Sequence, residues 1–229
     1  MSKKIFMLLA AVGFLAVTSV NAAEYGFDKA HSHVGFSVKH ILNKVRGEFK
    51  DFDGSFTFDP AKPESAKVDV TIQVSSISTD NDMRDHHLQS PDFFDVGKFP
   101  TITFKSIGVA KGEGDNKYKV TGDLTIHGVT KPVVLDVDYM GEDAMPMGKD
   151  GKTTAKIIGF SATTKIDRTD FGLVWNKTLA SGNLMVSNDV EITLDVAGMD
   201  KASLENMKKM MAKMKKEKPA DKPADAPKN

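Results

Sequence analysis

The segment Val133-Val134-Leu135-Asp136-Val137-Asp138-Tyr139 decides the fold. Val133, Leu135, Val137 and Tyr139 recur every second residue, and Asp136 and Asp138 stand between them. Successive side chains of a strand point to opposite faces, so this spacing sends one row into an apolar interior and the other into water. A helix would need a period of 3.6 and would scatter the aspartates around its circumference. The same period extends outward in both directions. It is carried by Val34, Phe36 and Val38; by Val68, Val70, Ile72 and Val74; by Tyr118, Val120, Leu124 and Ile126; and by Ile192, Leu194 and Val196. Turn signals separate these runs at Asp59-Pro60, Gly112 to Asn116, His127-Gly128 and Lys149-Asp150-Gly151. One-sided antiparallel strands in such number predict an all-β protein whose sheet closes into a barrel.

Two segments change parity. Val45 and Phe49 lie on odd positions, whereas Phe52, Phe56 and Phe58 lie on even ones. A strand with one buried face changes parity only through an inserted residue, so a bulge is expected near Lys50-Asp51, and another near Ser106. Such bulges, with Gly54 and Gly122, let strands coil into a barrel. One polar insertion interrupts the strands. Thr79 to Asp82 is rich in capping residues and predicts a helix over Met83 to Leu88. Ser90-Pro91 predicts a second short helix carrying Phe93 and Phe94, with both helices packed at a barrel end.

The ends differ from the middle. Lys3-Lys4, the apolar run Ile5 to Val17 and Val20-Asn21-Ala22 have the form of a signal peptide cleaved near Ala22. The run is short for a membrane span, so export to the periplasm is expected. Residues 23–199 then form the barrel. After Asp200, Leu204, Met207, Met211 and Met214 recur at three and four among lysines, predicting an amphipathic helix capped by Asp200. Lys218 to Asn229 reads as disordered. Formal net charge is +0, but both ends are basic, so the barrel itself is acidic and nucleic acid is not an expected partner. The Lys-rich helix suits contact with a membrane surface, and its Met stripe leaves open the pairing of two copies.

The chemistry-bearing residues are sparse. With 0 Cys, thiol catalysis, iron–sulfur clusters and a lipoprotein anchor are excluded. No GxSxG, SxxK, P-loop or HExxH pattern occurs, and an enzyme is not expected. His31, His33, His86 and His87 lie near carboxylates, so a metal-dependent hydrolase is the weaker alternative; no metal or other cofactor is expected. The chain has 14 Phe against 3 Tyr and 1 Trp, and Phe36, Phe49, Phe56, Phe58, Phe104 and Phe160 have inward parity. A barrel of about eight strands either fills with such side chains or encloses one ligand, and periodicity does not choose. A filled barrel acting in stress or interaction through its basic tail is the other alternative. Arg84 and Arg168 suit either a structural ion pair or the polar head of a ligand.

Longer motifs add a resemblance. Asp28-Lys-Ala-His31-Ser-His-Val34-Gly-Phe36, Val45-Arg-Gly47-Glu-Phe49, Asp53-Gly54-Ser-Phe56, Arg84-Asp85-His-His87-Leu88, Asp92-Phe-Phe94-Asp95, Phe99-Pro100-Thr-Ile-Thr-Phe104, Gly122 to Lys131 and Ile166-Asp-Arg168-Thr-Asp170-Phe171-Gly172 resemble, in order, the pattern of the YceI family. The resemblance runs from about Tyr25 to Ala197. It implies a lipocalin-like antiparallel barrel, usually of eight strands, that binds polyisoprenoid chains or isoprenoid quinones without catalysis. On that basis the expected lining is Phe36, Val38, Phe49, Phe56, Phe58, Phe104, Leu124, Ile126, Phe160, Phe171 and Trp175. Arg84 and Arg168 are the expected head-group contacts. The segment after Asp200 has no counterpart in the family pattern.

Overall fold

The computed structural model describes residues 22–147 and 153–217. Eleven strands form one antiparallel sheet: β1 (Ala23–Phe27), β2 (His33–His40), β3 (Asn43–Phe49), β4 (Phe52–Phe58), β5 (Lys67–Gln73), β6 (Ile77–Ser78), β7 (Thr101–Lys111), β8 (Lys117–Ile126), β9 (Val129–Met147), β10 (Thr153–Asp167) and β11 (Val186–Asp200). Two helices accompany them, α1 (Asp82–Gln89) and α2 (Lys201–Glu217). The sheet closes because β11 pairs with the beginning of the chain. Its first part lies against β2 (Leu194 opposite Val34, Ile192 opposite Phe36), and its last part lies against β1 (Met199 opposite Gly26).

The eleven segments make eight staves. β1 with β2, β3 with β4 and β5 with β6 are each one stave broken in the middle, so the result is a closed eight-stranded barrel. The breaks lie side by side. The Lys50 amide donates to Ser76 O at 3.2 Å, the Gln73 amide donates to Asp51 O at 2.8 Å, and Lys29 Nζ meets Asp51 Oδ1 at 3.0 Å. Beside them, the Asp28 amide reaches Ala197 O at 2.8 Å and Ser32 Oγ accepts from the Ala197 amide at 3.0 Å. The expected bulge at Lys50-Asp51 is therefore a break. The parity changes because the chain leaves β2 and β6 as partners and joins β1 and β5. At Ser106 the expected irregularity is a true bulge, with the β7–β8 register shifting between Ser106 and Gly108.

Turn chemistry sets the two ends. His127 and Gly128 both have positive φ (51° and 75°), the backbone of a tight two-residue hairpin, and join β8 to β9 with Ile126 opposite Val129. The turn predicted at Lys149 to Gly151 lies outside the described residues, as do the predicted signal segment and the Lys218–Asn229 tail. Helix α1 begins where the sequence indicates, the Asn81 side chain accepting from the Arg84 amide at 3.0 Å. The second helix does not form. The amides of Phe93 and Asp95 both turn back onto Ser90 O (3.0 and 2.9 Å), and Asp95 takes φ +46°, which breaks a right-handed helix.

Helix α2 starts at the expected cap, with Asp200 Oδ1 accepting from the Ser203 amide at 2.9 Å. It packs on the outer wall at the base. Leu204 is buried there with Ala155 and Met199, and Met145, Met147, Ile157 and Met207 close around them. Gly26 makes this possible, since a Cβ at that position would fall 2.4 Å from Leu204 Cδ2. Lys201 Nζ adds an ion pair with Glu24 at 2.7 Å. Leu204→Asp is expected to release α2 and lower the melting temperature while leaving the β-sheet circular-dichroism signal unchanged. Inside the barrel, Gly54 has φ +152° and a Cβ there would stand 2.1 Å from Asp69 O. Gly54→Ala should cost about 1–3 kcal/mol in urea denaturation, the range for forced overpacking.

Candidate functional site: an apolar barrel cavity

The inward row does not fill the barrel. Val34, Phe36, Val133, Leu135, Ile192 and Leu194 all face the interior, yet each is only half-buried. The surface they expose is the wall of an internal cavity of about 290 Å³. Its lining is apolar except for Ser32, Thr57, the Tyr118 phenol, Thr164, Arg168 and Asp195. The lining takes Tyr118, Val120, Leu124 and Ile126 from β8 alone, about 27 Å of strand at about 3.4 Å per residue. The space is thus long and narrow rather than round. A packed core leaves few voids larger than a water molecule, so this interior departs from ordinary packing.

An aromatic layer lies across the base. Tyr25 stacks on Phe56 at 5.3 Å, and Phe58 meets Tyr139 and Phe160 at 5.0 Å each. Burial raises the pKa of the Tyr139 phenol above its ordinary value. The opposite end carries the insertion. Leu88, Phe93 and Phe94 line the cavity there, and Phe94 meets Phe49 edge-on at 6.0 Å. Next to them the chain leaves β10 in a short 3-10 turn, Arg168–Phe171. Asp167 caps this turn, accepting from Thr169 Oγ1 at 2.6 Å and from the Thr169 amide at 2.8 Å. Those two bonds hold the Asp167 carboxyl below its usual pKa.

Of the eleven expected lining residues, the structure brings nine to the cavity: Phe36, Val38, Phe49, Phe56, Phe58, Phe104, Leu124, Ile126 and Phe160. Phe171 and Trp175 lie elsewhere. Phe171 is packed into the core beside Leu173, and Trp175 sits behind the lining against His87 and Phe93, at 5.1 Å from each. Both follow the end of β10, where alternation no longer says which way a side chain points. The insertion residues Leu88 and Phe93 were not readable as lining for the converse reason, since they belong to no strand.

The two arginines separate. Arg84 does not reach the cavity. Its Nε donates to Thr79 Oγ1 and its Nη2 to Thr79 O, both at 2.7 Å, so it clamps the start of α1. Arg168 lines the cavity and is 5% exposed. Its Nε donates to Ser187 O at 2.9 Å and its Nη1 to Leu173 O, while Nη2 has no protein partner among the described residues. Burial pushes its pKa down, although a guanidinium keeps its charge in proteins. The result is one guanidinium donor without a protein partner among the described residues, buried in the wall of an apolar chamber.

The histidines do not converge. His31 pairs with Asp28 at 2.7 Å, His33 with Glu48 at 3.1 Å and His87 with Asp92 at 3.1 Å, each on the outer surface with its own carboxylate. Among the described residues no group of three or more His, Cys, Asp or Glu side chains is placed to hold a metal.

Comparison with known proteins agrees with this architecture. Residues 25–198 match the family model described as "YceI-like domain". The chain belongs to the YceI family. The "UPF0312 protein" of Pseudomonas fluorescens is 39% identical over 191 residues, which cover 80% of this chain and 93% of that protein. Among solved structures, BcnA of Burkholderia cenocepacia is 27% identical with a TM-score of 0.64, covering 75% of this chain and 98% of BcnA. A polyisoprenoid binding domain from Saccharophagus degradans is 17% identical with a TM-score of 0.53, covering 78% and 99%, a likeness of fold. In this YceI barrel the half-buried Arg84 and the buried Arg168 differ in role, and the difference is measurable. Arg84→Ala is expected to cost about 1–3 kcal/mol of stability, through the unmade bonds at Thr79, without changing what the cavity holds. Urea denaturation and native mass spectrometry of the variant check the two halves.

Proposed function

We propose that this protein carries a long polyisoprenoid chain or an isoprenoid quinone inside the barrel, in the periplasm. The observation that carries the reading is the row of inward, half-buried apolar residues along a cavity that spans most of the strand length. An apolar cavity of this kind stays dry and favours apolar guests. Each Å² of apolar ligand surface taken from water contributes about 25 cal/mol, so a long chain needs few directional contacts to be held. The fold neighbour described as a polyisoprenoid binding domain supports the same ligand class. Export through a cleaved signal segment completes the reading, because such a ligand requires a carrier wherever it leaves its membrane.

Arg168 is proposed to fix the orientation of the ligand. Its unpartnered Nη2 suits a carbonyl, hydroxyl or phosphate oxygen at the head of the chain, near the end of the barrel that carries the insertion. The tail then extends toward the aromatic base. A filled barrel acting only through its basic tail fits less well, because the cavity would then have no use.

Titration of delipidated protein with a short-tailed ubiquinone, followed through quenching of Trp175, tests the reading. Saturable binding at one ligand per chain is expected. Phe56→Asp should abolish it. Arg168→Met should weaken the quinone by about tenfold, the loss of one charge-assisted hydrogen bond, while squalene, which has no head group, binds as before by native mass spectrometry. Undiminished quinone binding by Phe56→Asp would contradict the cavity as the site, and equal losses for quinone and squalene in Arg168→Met would contradict the head-group role.

A further inference from the structure

The turn between β2 and β3 is built against its own folding chemistry. His40 lies opposite Asn43, so Ile41 and Leu42 alone make the turn. Two-residue hairpin turns favour Asn-Gly or Asp-Gly, because the backbone enters the left-handed region. Here Ile41 takes φ +56°, a conformation that a β-branched side chain resists. Leu42 is 90% exposed. Neither folding nor solubility is served by two large apolar residues at this position.

A second loop lies directly beside it. The Ile41 amide donates to Met185 O and the Met185 amide donates to Lys177 O, both at 2.8 Å, which joins the turn to the 172–185 segment. That segment adds Val174 at 67% exposure and Leu184 at 51%. The patch is continuous with the cavity, since Val38 and Val186 line the cavity at the foot of the same two loops. Its charge is one-sided as well. From Val34 to Gly47 and from Gly172 to Asn188 the chain has no Asp or Glu, while Lys39 and Lys177 stand exposed beside the apolar tips. The outer wall elsewhere is laced with ion pairs, such as Lys117 with Asp138 and Lys165 with Asp189.

We propose that this pair of loops is a bilayer-docking surface: Ile41, Leu42, Val174 and Leu184 enter the interface of an anionic membrane, and Lys39 and Lys177 meet its head groups. Apolar tips flanked by cations are what such an interface accepts, each contributing burial or attraction to anionic lipid. The inference rests on the reading of the barrel as a lipid carrier and adds to it where the ligand enters. A chain that is insoluble in water passes from bilayer to cavity over a surface contiguous with both. The exposed Met210 and Met211 of α2 lie at the opposite end of the barrel and have no part in it.

Co-flotation of the purified protein with vesicles of phosphatidylethanolamine and phosphatidylglycerol, free of isoprenoids, tests the proposal. The wild type is expected to float with the vesicles, more at low salt than at high. The double variant Leu42→Glu, Leu184→Glu should lose about tenfold in vesicle partitioning, and Lys177→Glu, outside the strained turn, should lose most of the salt-dependent part. Met210→Glu with Met211→Glu should float as the wild type does. Absence of flotation, equal flotation of the Leu42/Leu184 variant, or loss confined to the α2 variant overturns the proposal; the last outcome would place membrane contact on α2. Native mass spectrometry of the same variants keeps the two readings apart. Flotation by a protein that never holds lipid would sink the carrier reading alone, and retained lipid without flotation would sink the docking surface alone.

Discussion

Everything in this molecule depends on the pairing of β11 with β1 and β2, because that pairing turns an open sheet into a closed one. An open antiparallel sheet with a single apolar face needs a covering layer, and the described residues supply none: α1 is short and polar, and α2 lies on the outer wall. Closure removes the need. The sheet covers its own apolar face, and no edge remains to pair with other chains. The consequence is geometric. Eight staves enclose an interior whose width is set by strand number and tilt, not by the side chains available, and the inward Val, Leu and Ile residues leave its axis unfilled.

The breaks in the first three staves are the second consequence. β1/β2, β3/β4 and β5/β6 all interrupt at one level, where main-chain bonds join Lys50 to Ser76, Gln73 to Asp51 and Asp28 to Ala197 instead of running along a regular ladder. This crease lets each stave change parity while keeping its apolar residues inward on both sides, so Phe49 belongs to the upper chamber and Phe52, Phe56 and Phe58 to the aromatic base. Arg168 stands toward one end, as a buried charge whose Nη2 has no protein partner among the described residues, and the loops carrying Ile41, Leu42, Val174 and Leu184 form the adjoining rim.

Most of the fold was legible from residues alone because a period of two is unambiguous when one face is dry. Val133 to Tyr139 and Ile192 to Val196 leave no freedom of register. The bulge at Ser106 was readable for the same reason. The break at Lys50-Asp51 has the sequence signature of a bulge because parity reports that a strand is interrupted, not whether its partners change. Site residues on strands followed the alternation, and Phe36, Phe104 and Phe160 reached the cavity. Phe171 and Trp175 lie past the end of β10, where direction is set by a 3-10 turn and by packing on Phe93. Arg84 and Arg168 are alike in sequence context, each within a polar segment beside Asp. Only three dimensions show that one is tied to Thr79 and the other keeps a buried donor with no protein partner among the described residues. Whether the inward row met in the middle was never a question that periodicity could answer.

The most direct test of the account is native mass spectrometry of the protein purified gently from its own cells without detergent, followed by organic extraction of whatever is released. A fraction of the protein heavier than the bare polypeptide by the mass of one molecule is expected, with that molecule recovered in the extract as a polyisoprenoid or isoprenoid quinone. A protein that is uniformly of polypeptide mass, and that stays so after incubation with such a lipid, would contradict the cavity as a binding site.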